Sequence, residues 1–391
     1  MFSTKTKTML LVATISLLHV ACAPSKNESN ENDPAIEAMS SQLKSMGDEF
    51  LPASIYEDGR SEASSSKTSS NKLGTHSNSQ NDDICAGVDF IECQPRLIRA
   101  YLQWGREGVY TTQKMVSDVA RSLAGVSNNT SGEFRSNENG FSISYNKRSS
   151  TDFDFLILEN NVSIGRVSAQ NGNYNVQFDL NVIDKNKAGS NGGKVDIQVK
   201  LTDSTHWESQ ITFTGVKCNV NKPEDPETAR IFVVRKGEIW NAQSSFYNGI
   251  SGQYTGTKSC STPASDVTGV VIYTNLVADR TAAKAAMYLL RRNEQSVAQL
   301  QNFGINRYCQ NYPDLCQSLA TATGQSTSAV ATYLGALQNP YCVHRGNAQV
   351  FFNSDCSNVS TAVAQEPLLP NNSFLSPYEF YRLNISIPNQ L

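Results

Sequence analysis

Hydrophobic and polar residues alternate along much of the chain between residues 141 and 275. Two stretches, Val176–Val182 and Val195–Leu201, alternate without interruption. A period of two predicts strands with one buried side and one solvent-facing side, as in an antiparallel sheet. Polar loops such as 185–194 separate these stretches. The pattern therefore predicts a meander of about seven to nine strands.

A helical period precedes the alternating region. From Pro95 to about Val126, apolar residues recur at intervals of three, four and seven, which predicts one long amphipathic helix. We expect its apolar stripe to cover the apolar face of the sheet. The residues of this stripe are Ile98, Leu102, Gly105, Val109, Val116 and Leu123.

The helical period returns towards the end of the chain. It predicts a helix from about Arg280 to Asn302, two shorter helices near Pro313–Thr321 and Ser326–Leu337, and a last strand near Phe380–Ile387. The predicted fold class is therefore α+β. It consists of a long N-terminal helix packed on an antiparallel β-meander, followed by a small disulfide-stapled helical region.

The first 21 residues have the pattern of a secretory signal. Lys5 and Lys7 precede an apolar run from Met9 to Leu18 that is too short to span a bilayer as a helix. The small residue Ala21 ends the segment, and Cys22 follows it directly.

The sequence around this junction, Leu18-His19-Val20-Ala21-Cys22, resembles the end of the signal in bacterial lipoprotein precursors. In that family a small residue directly precedes a cysteine that becomes lipidated. This chain departs from the family at His19, where leucine is usual. The resemblance extends over about the first 22 residues.

The resemblance implies that Cys22 is lipidated and that the protein is exported and held to a membrane of the bacterial cell envelope. Ordinary cleavage that leaves a free Cys22 thiol is the alternative. Ala23 stands where an aspartate would be associated with retention in the inner membrane, so the resemblance favours the outer membrane.

Residues 22–84 are rich in serine and asparagine. Such a composition buries too little apolar surface to fold, so we expect a disordered tether behind the lipid attachment site. One segment differs, because Asp33-Pro34 is typical of a helix start and apolar residues follow at helical spacing. It predicts a short amphipathic helix, either marginal within the linker or docked on a partner or on the folded body. Its apolar residues are Ile36, Met39, Leu43 and Met46.

Nine cysteines are present, and setting Cys22 aside leaves an even number, which fits a compartment where thiols pair. Spacing favours pairs between neighbours, although sequence alone leaves the connectivity open. A zinc site around Cys342-Val343-His344 is the alternative, but the cysteine spacing does not suit a structural zinc site. The eight predicted disulfide cysteines are Cys85, Cys93, Cys218, Cys260, Cys309, Cys316, Cys342 and Cys356.

These features divide the chain into four predicted parts. Residues 1–21 form the signal peptide, and residues 22–84 form the lipid attachment site and tether. Residues 85–275 form a domain of helix and antiparallel sheet, and residues 276–391 form a helical, disulfide-rich region with a C-terminal strand.

Charge and motifs narrow the function classes. A formal charge of −3 excludes the broad basic surface that nucleic-acid binding needs. The histidines outside the signal are His76, His206 and His344, and no two have a metal-binding spacing. No catalytic motif is present. We therefore expect no catalytic residue, metal or other cofactor.

Carboxylate pairs are the remaining route to hydrolysis. The densest are Asp152 with Asp154 on a predicted strand and Glu224-Asp225-Pro226-Glu227 in a loop, and both fit a solvated surface better. The aromatic residues fit a core better than a carbohydrate platform. They include Trp104, Trp207, Trp240, Phe246, Tyr247 and Tyr254.

Three functions remain as hypotheses. The preferred one is a membrane-anchored envelope lipoprotein that binds an unknown envelope protein or glycan without catalysis. The second is a periplasmic carrier of an apolar or acyl ligand, by analogy in outline with carriers whose half-open barrel holds acyl chains against helices. That function requires a cavity between helix and sheet. The third is a hydrolase of envelope glycan or peptide.

Overall fold

The computed structural model describes two compact units of the chain. The first unit comprises Phe2–Phe50, Trp104–Val216 and Asn384–Leu391, and the second comprises Leu51–Gln103 and Lys217–Leu383. The described residues are 33–52, 90–135, 141–179, 193–214, 228–248, 270–291, 341–346, 349–353, 359–366 and 383–391, together with isolated residues between 313 and 331.

Strands make up most of the described structure. The helices are α1 (Pro34–Asp48), α2 (Phe90–Ser122) and α3 (Thr361–Gln365). The strands of the first unit are β1 (Thr130–Arg135), β2 (Phe141–Lys147), β3 (Phe153–Glu159), β4 (Val162–Gln170), β5 (Asn173–Asp179), β6 (Lys194–Asp203) and β7 (His206–Thr214). Those of the second unit are β8 (Thr228–Lys236), β9 (Ile239–Asn248), β10 (Val270–Ala278), β11 (Ala282–Arg291), β12 (Tyr341–Gly346) and β13 (Gln349–Asn353).

In the first unit, each strand from β1 to β7 pairs antiparallel with the next. Two hairpin turns consist of residue pairs with positive φ, Asn160-Asn161 and Asn171-Gly172. This geometry suits the twist of a two-residue hairpin. A Cβ on Gly172 would lie 2.4 Å from the carbonyl oxygen of Leu201, so only glycine fits there. The predicted antiparallel sheet is confirmed.

Helix α2 touches the apolar face of this sheet at Gly108. A Cβ on Gly108 would lie 2.0 Å from Cδ1 and 2.9 Å from Cγ1 of Ile211, so the helix backbone lies directly on the strand side chains. One turn earlier, Trp104 meets Phe213 edge to face, with 5.9 Å between the ring centroids. At this point the space between helix and sheet is filled.

Helix α1 docks on α2 although it lies within the predicted tether. The Asp33 side chain caps its first turn by accepting a hydrogen bond from Ala35 N at 2.8 Å. Its apolar side is buried, including Ile36, Leu43 and Met46. Beyond its end, Phe50 stacks on Trp207 of β7 with 5.5 Å between the ring centroids. A composition typical of disorder therefore contains a helix that belongs to the first unit.

Polar contacts join α1 and α2 along their length. Tyr110 Oη donates to Asp48 Oδ1 at 2.7 Å, and Gln113 Nε2 donates to Ser40 Oγ at 2.8 Å. Arg121 forms an ion pair with Glu37 at 2.8 Å. Rising numbers on α1 match falling numbers on α2, so the two helices run antiparallel.

A buried lysine closes the end of α2. Lys147 Nζ, from the end of β2, donates to the carbonyl oxygens of Leu123 and Val126 at 2.7 Å each. These carbonyls follow the last turn of α2, where backbone acceptors otherwise lack donors. Burial lowers the pKa of Lys147, and the charge of Asp33 opposes that shift. Lys147 therefore ties the β2–β3 hairpin to the end of α2.

In the second unit, strands continue where helix was predicted. β8 to β11 pair antiparallel in chain order, and β12 and β13 extend the series. The side chain of Asp279 accepts hydrogen bonds from Thr281 N and Ala282 N, which closes a tight turn between β10 and β11. The predicted helix from Arg280 to Asn302 is wrong in its described part, because residues 282–291 form β11.

The predicted fold class is also wrong. Antiparallel strands dominate both units and extend to Asn353, where a small disulfide-stapled helical region was predicted to follow the meander. Among the described residues helices are few, and α3 has only five residues. Within the two shorter predicted helices, residues 313, 316, 317, 320, 327–329 and 331 are helical. Residues 383–387, the described part of the predicted C-terminal strand, form no strand. Instead Ile387 packs against Leu156 and Leu158 of β3.

One of the predicted disulfide cysteines, Cys316, has a described side chain. Cys316 is fully buried and disulfide-bonded. Cys93 lies on α2 and Cys342 on β12. Cys22 and the other predicted disulfide cysteines lie outside the described residues, namely Cys85, Cys218, Cys260, Cys309 and Cys356.

The contact at Gly108 generates the first prediction. We expect Gly108→Ala to lower the free energy of unfolding by about 1–3 kcal/mol, because the methyl group overpacks the interface with Ile211. Alanine also raises helix propensity by about 1 kcal/mol, so the net loss is a lower bound on the cost of crowding. Gly125→Ala is the matched control, because no atom lies within 4 Å of a Cβ there. Urea denaturation measures the free energy of unfolding of both variants and of wild type. A Gly108→Ala protein as stable as wild type would show that there is space between the helix and the sheet.

The Tyr110 hydroxyl generates the second prediction. Burial first, and then the bond to Asp48, raises the pKa of Tyr110 from 10.0 to about 12. Its contribution to stability is therefore complete below pH 10.0 and is lost as the pH rises through about 12. We expect Tyr110→Phe to cost about 1.5 kcal/mol at neutral pH and to remove this alkaline slope.

Denaturation at a series of alkaline pH values measures both effects. Tyr145→Phe is the control, because it removes a tyrosine hydroxyl from a ring that stacks on Phe134 of β1. An unchanged alkaline slope in Tyr110→Phe would contradict the assigned role of the hydroxyl.

Candidate functional site: a polar network on the open face of the first sheet

The face of the first sheet opposite α2 carries a continuous row of polar residues. Val167, Val176 and Ile197 occupy adjacent strands in register and are buried in the core. Because side chains alternate along a strand, their chain neighbours point to the other face. Those neighbours include Arg166, Ser168, Asn175, Gln177, Asp196 and Gln198, and Asp154 stands opposite Ser168.

Two arginines hold the carboxylates at one end of this row. Arg148 Nε donates to Asp152 Oδ1 at 2.6 Å, and Arg148 Nη2 donates to Asp154 Oδ2 at 3.1 Å. Arg166 Nη2 donates to the other oxygen of Asp154 at 2.9 Å. The bond to Asp152 is the main reason that the pKa of Arg148 is raised. The four side chains remain between 20% and 32% exposed, so solvent and ligands reach them.

Two amides hold the carboxylate at the other end. Asn175 Nδ2 donates to Asp196 Oδ1, and Gln198 Nε2 donates to Asp196 Oδ2, both at 2.7 Å. Asp196 is buried, so these bonds replace water that the carboxylate loses on folding. We call the whole set the polar network: Arg148, Asp152, Asp154, Arg166, Asn175, Gln177, Asp196 and Gln198.

The centre of the polar network has unused hydrogen-bonding capacity. Arg166 and Gln177 stand directly opposite each other on β4 and β5. Arg166 Nε and Gln177 Oε1 are buried and have no hydrogen-bond partner. A buried donor or acceptor without a partner costs about 1–3 kcal/mol. A ligand or water that supplied both an acceptor and a donor here would recover that cost.

The structure brings the predicted carboxylate pair Asp152 and Asp154 together but fits it poorly for hydrolysis. Splitting acid and base roles requires two environments that separate the pKa values of the carboxyls. Here Arg148 bonds to both carboxylates, and Arg166 adds a second cation to Asp154. The other acidic cluster, Glu224-Asp225-Pro226-Glu227, lies outside the described residues.

His206 belongs to a surface turn between β6 and β7. The Asp203 carboxylate accepts hydrogen bonds from Thr205 N at 2.7 Å and from His206 N at 2.9 Å. Hydrogen bonds, above all from the Thr205 side chain, lower the pKa of Asp203 to about 2. His206 Nδ1 lies 3.1 Å from Asp203 Oδ2. The arrangement stabilises the hairpin, while His344 lies on β12 and His76 lies outside the described residues.

The core assignment of the aromatic residues is confirmed for Trp207 and Trp240, which are both buried. Trp240 lies beneath the buried guanidinium of Arg235, with 4.5 Å from Cζ to the ring centroid. Phe246 and Tyr247 lie on β9, and Tyr254 lies outside the described residues.

Metal sites and membrane-spanning helices are both absent from the described residues. No group of three or more His, Cys, Asp or Glu side chains in this part of the chain has the arrangement of a metal site. None of the helices described is long and apolar enough to cross a membrane.

The polar network generates the third prediction. We expect Asp154→Ala to lower the free energy of unfolding by about 1–3 kcal/mol, because it leaves Arg148 and Arg166 without their shared carboxylate. In a double-mutant cycle with Arg166→Met, the two losses should couple by about 1 kcal/mol. Glu208→Ala replaces an exposed side chain of β7 and is the control, which should change stability by less than about 0.5 kcal/mol. Strict additivity in the cycle would contradict the network.

No family model, no curated protein and no solved structure matches this chain.

Proposed function

We propose that this protein is a lipoprotein of the bacterial cell envelope, anchored through Cys22, that binds a hydroxyl-rich glycan of the envelope on the polar network without catalysis. The observation that carries the proposal is the row of interlocked polar side chains across the open face of the first sheet. The signal-like segment and its resemblance to lipoprotein precursors support the anchor.

The chemistry of the polar network suits a neutral polar ligand. Two arginines stand against three aspartates, so opposite charges lie interspersed. Hydroxyl groups donate and accept hydrogen bonds at the same oxygen. They match a surface that offers the donors of Arg148 and Arg166 beside carboxylate and amide oxygens. The side chains at both ends of the network are already fixed by mutual bonds, so their ordering adds little conformational entropy cost to binding.

Packing within the first unit favours this function over the acyl carrier. A carrier needs an apolar cavity between α2 and the sheet. Gly108 and Ile211 are in direct contact where that cavity would lie. Val109, Val116 and Leu123 of the predicted stripe are all buried. The arginine-held carboxylates likewise favour binding over hydrolysis.

Binding to envelope glycans provides the fourth prediction. We expect the purified protein to bind soluble peptidoglycan fragments or lipopolysaccharide sugars, and Arg166→Met and Gln177→Leu each to weaken binding about tenfold or more, or about 1.4 kcal/mol. Isothermal titration calorimetry measures the affinity. Lys44→Ala on the exposed side of α1, away from the open face of the sheet, is the control with unchanged affinity, and thermal melting verifies that each variant is folded.

Two results would contradict the proposal. One is a wild-type protein that binds neither glycan. The other is a set of folded variants that bind as well as wild type. Mass spectrometry of the membrane-extracted protein tests the anchor separately, since the Cys22 peptide should carry lipid and Cys22→Ala should leave the protein soluble.

A further inference from the structure

The docked position of α1 changes the length of chain between the anchor and the folded protein. Only ten residues lie between Cys22 and Asp33, where the α1 cap begins. At about 3.6 Å per residue, this segment reaches at most about 40 Å when fully extended. As a random coil it would span about 20 Å on average. A tether that continued to residue 84 would reach several times further.

The contacts of α1 make this short connection a property of the folded state. Leu43 and Met46 are completely buried, and a Cβ on Gly47 would lie 2.5 Å from the Tyr110 ring. Freeing α1 would expose this apolar side and break the bonds of Asp48 and Ser40 to α2. Each large side chain that returned to water would add to the cost of freeing α1, so the docked state dominates.

The start of α1 also lies at one end of the strands of the first sheet. Glu37 pairs with Arg121 near the end of α2, and Lys147 binds the carbonyls that follow that end. The β2–β3 hairpin, residues 148–152, begins directly after Lys147. The opposite end of β3 leads into the β3–β4 turn, and Val162 at that turn is 61% exposed.

We infer that α1 is a fixed anchor mount, which holds the first unit within about 40 Å of the membrane with the hairpin at residues 148–152 on the membrane side. The inference rests on the proposed lipid anchor at Cys22 and adds the placement of the polar network. Arg148 and Asp152 belong to that hairpin, so the network lies near the membrane surface. Its ligand is therefore a glycan carried at the surface of the same membrane.

Energy transfer in reconstituted vesicles tests this placement. The lipidated full-length protein is inserted into phosphatidylethanolamine/phosphatidylglycerol vesicles that contain an acceptor-labelled lipid. A donor fluorophore is introduced as a non-natural amino acid at Ser150 or at Val162, which leaves the cysteines unchanged. We expect higher transfer from position 150 than from position 162.

Two insertions of equal length provide the decisive comparison. About 30 Gly/Ser residues between Ser25 and Lys26 should roughly double the average reach of the coil, lower transfer at both positions and abolish their difference. The same insertion between Arg60 and Ser61, on the far side of α1, should leave both efficiencies at the wild-type values. Equal effects of the two insertions, or equal transfer from positions 150 and 162 in wild type, would overturn the inference.

The outcomes separate this inference from the proposed function. A Cys22 peptide without lipid refutes the anchor, and the inference falls with it. Lipidated protein that responds equally to both insertions refutes the anchor mount alone. Loss of glycan binding in solution, with the expected vesicle results, refutes the ligand and leaves the mount in place.

Discussion

The backbone contact between α2 and the sheet at Gly108 determines the arrangement of the first unit. Because each helical residue turns by 100°, Tyr110, Gln113 and Arg121 project about 140–220° away from Gly108. These are the residues that bind α1. The sheet and α1 therefore lie on opposite sides of α2, and a bulkier residue at position 108 would disturb both interfaces. The central position of α2 also explains why it is buried on more than one side.

The same sheet has two chemically different faces. Towards α2 it presents large apolar side chains such as Phe153 and Phe155, which are completely buried. The opposite face is mostly polar, and its two leucines on β3 are covered by Ile387. Ser163 N also donates to Asn389 Oδ1 at 3.2 Å, so the end of the chain closes the apolar part of that face. The polar network is thereby left as the open part.

The sequence predicted those strands and helices whose hydrophobic pattern can be seen within one short stretch of chain. Strict alternation identified the strands around Val176 and Val195, since one face of each is buried. It failed at β11, whose run of alanine, leucine and methionine has high helix propensity. There the pairing with β10 prevails, and small side chains such as Ala283 and Ala285 fit where the strand is buried. The serine-rich composition predicted a disordered tether around α1, whereas the Asp33-Pro34 start and the helical spacing of the apolar residues correctly predicted the helix. Its docking on the folded body was one of the alternatives that the sequence left open.

The polar network required information that alternation does not contain. The pattern placed Asp154 on a solvated surface and put Gln177 and Asp196 at the polar positions of alternating strands, but it did not show which residues stand opposite them. Cross-strand register decides that, and it depends on turns such as Asn171-Gly172 and on the bulge after Ile157. Runs of Asp, Asn, Gln and Arg at the outward-facing positions were the available signal for the polar network. A face that contacts only solvent does not require side chains that pair with one another.

The proposed placement near the membrane would also resolve an energetic difficulty of a polar binding surface. Each neutral hydrogen bond contributes only about 0.5–1.5 kcal/mol net, so such a network would bind single sugars weakly in solution. The short connection implied by an anchor at Cys22 would confine the site and a membrane-borne ligand to the same thin layer and raise their effective concentration towards the millimolar range. Weak contacts would then suffice for occupancy while each one remained quickly reversible. A long tether would dilute that advantage, so under the proposed anchoring the docking of α1 would serve function as well as stability.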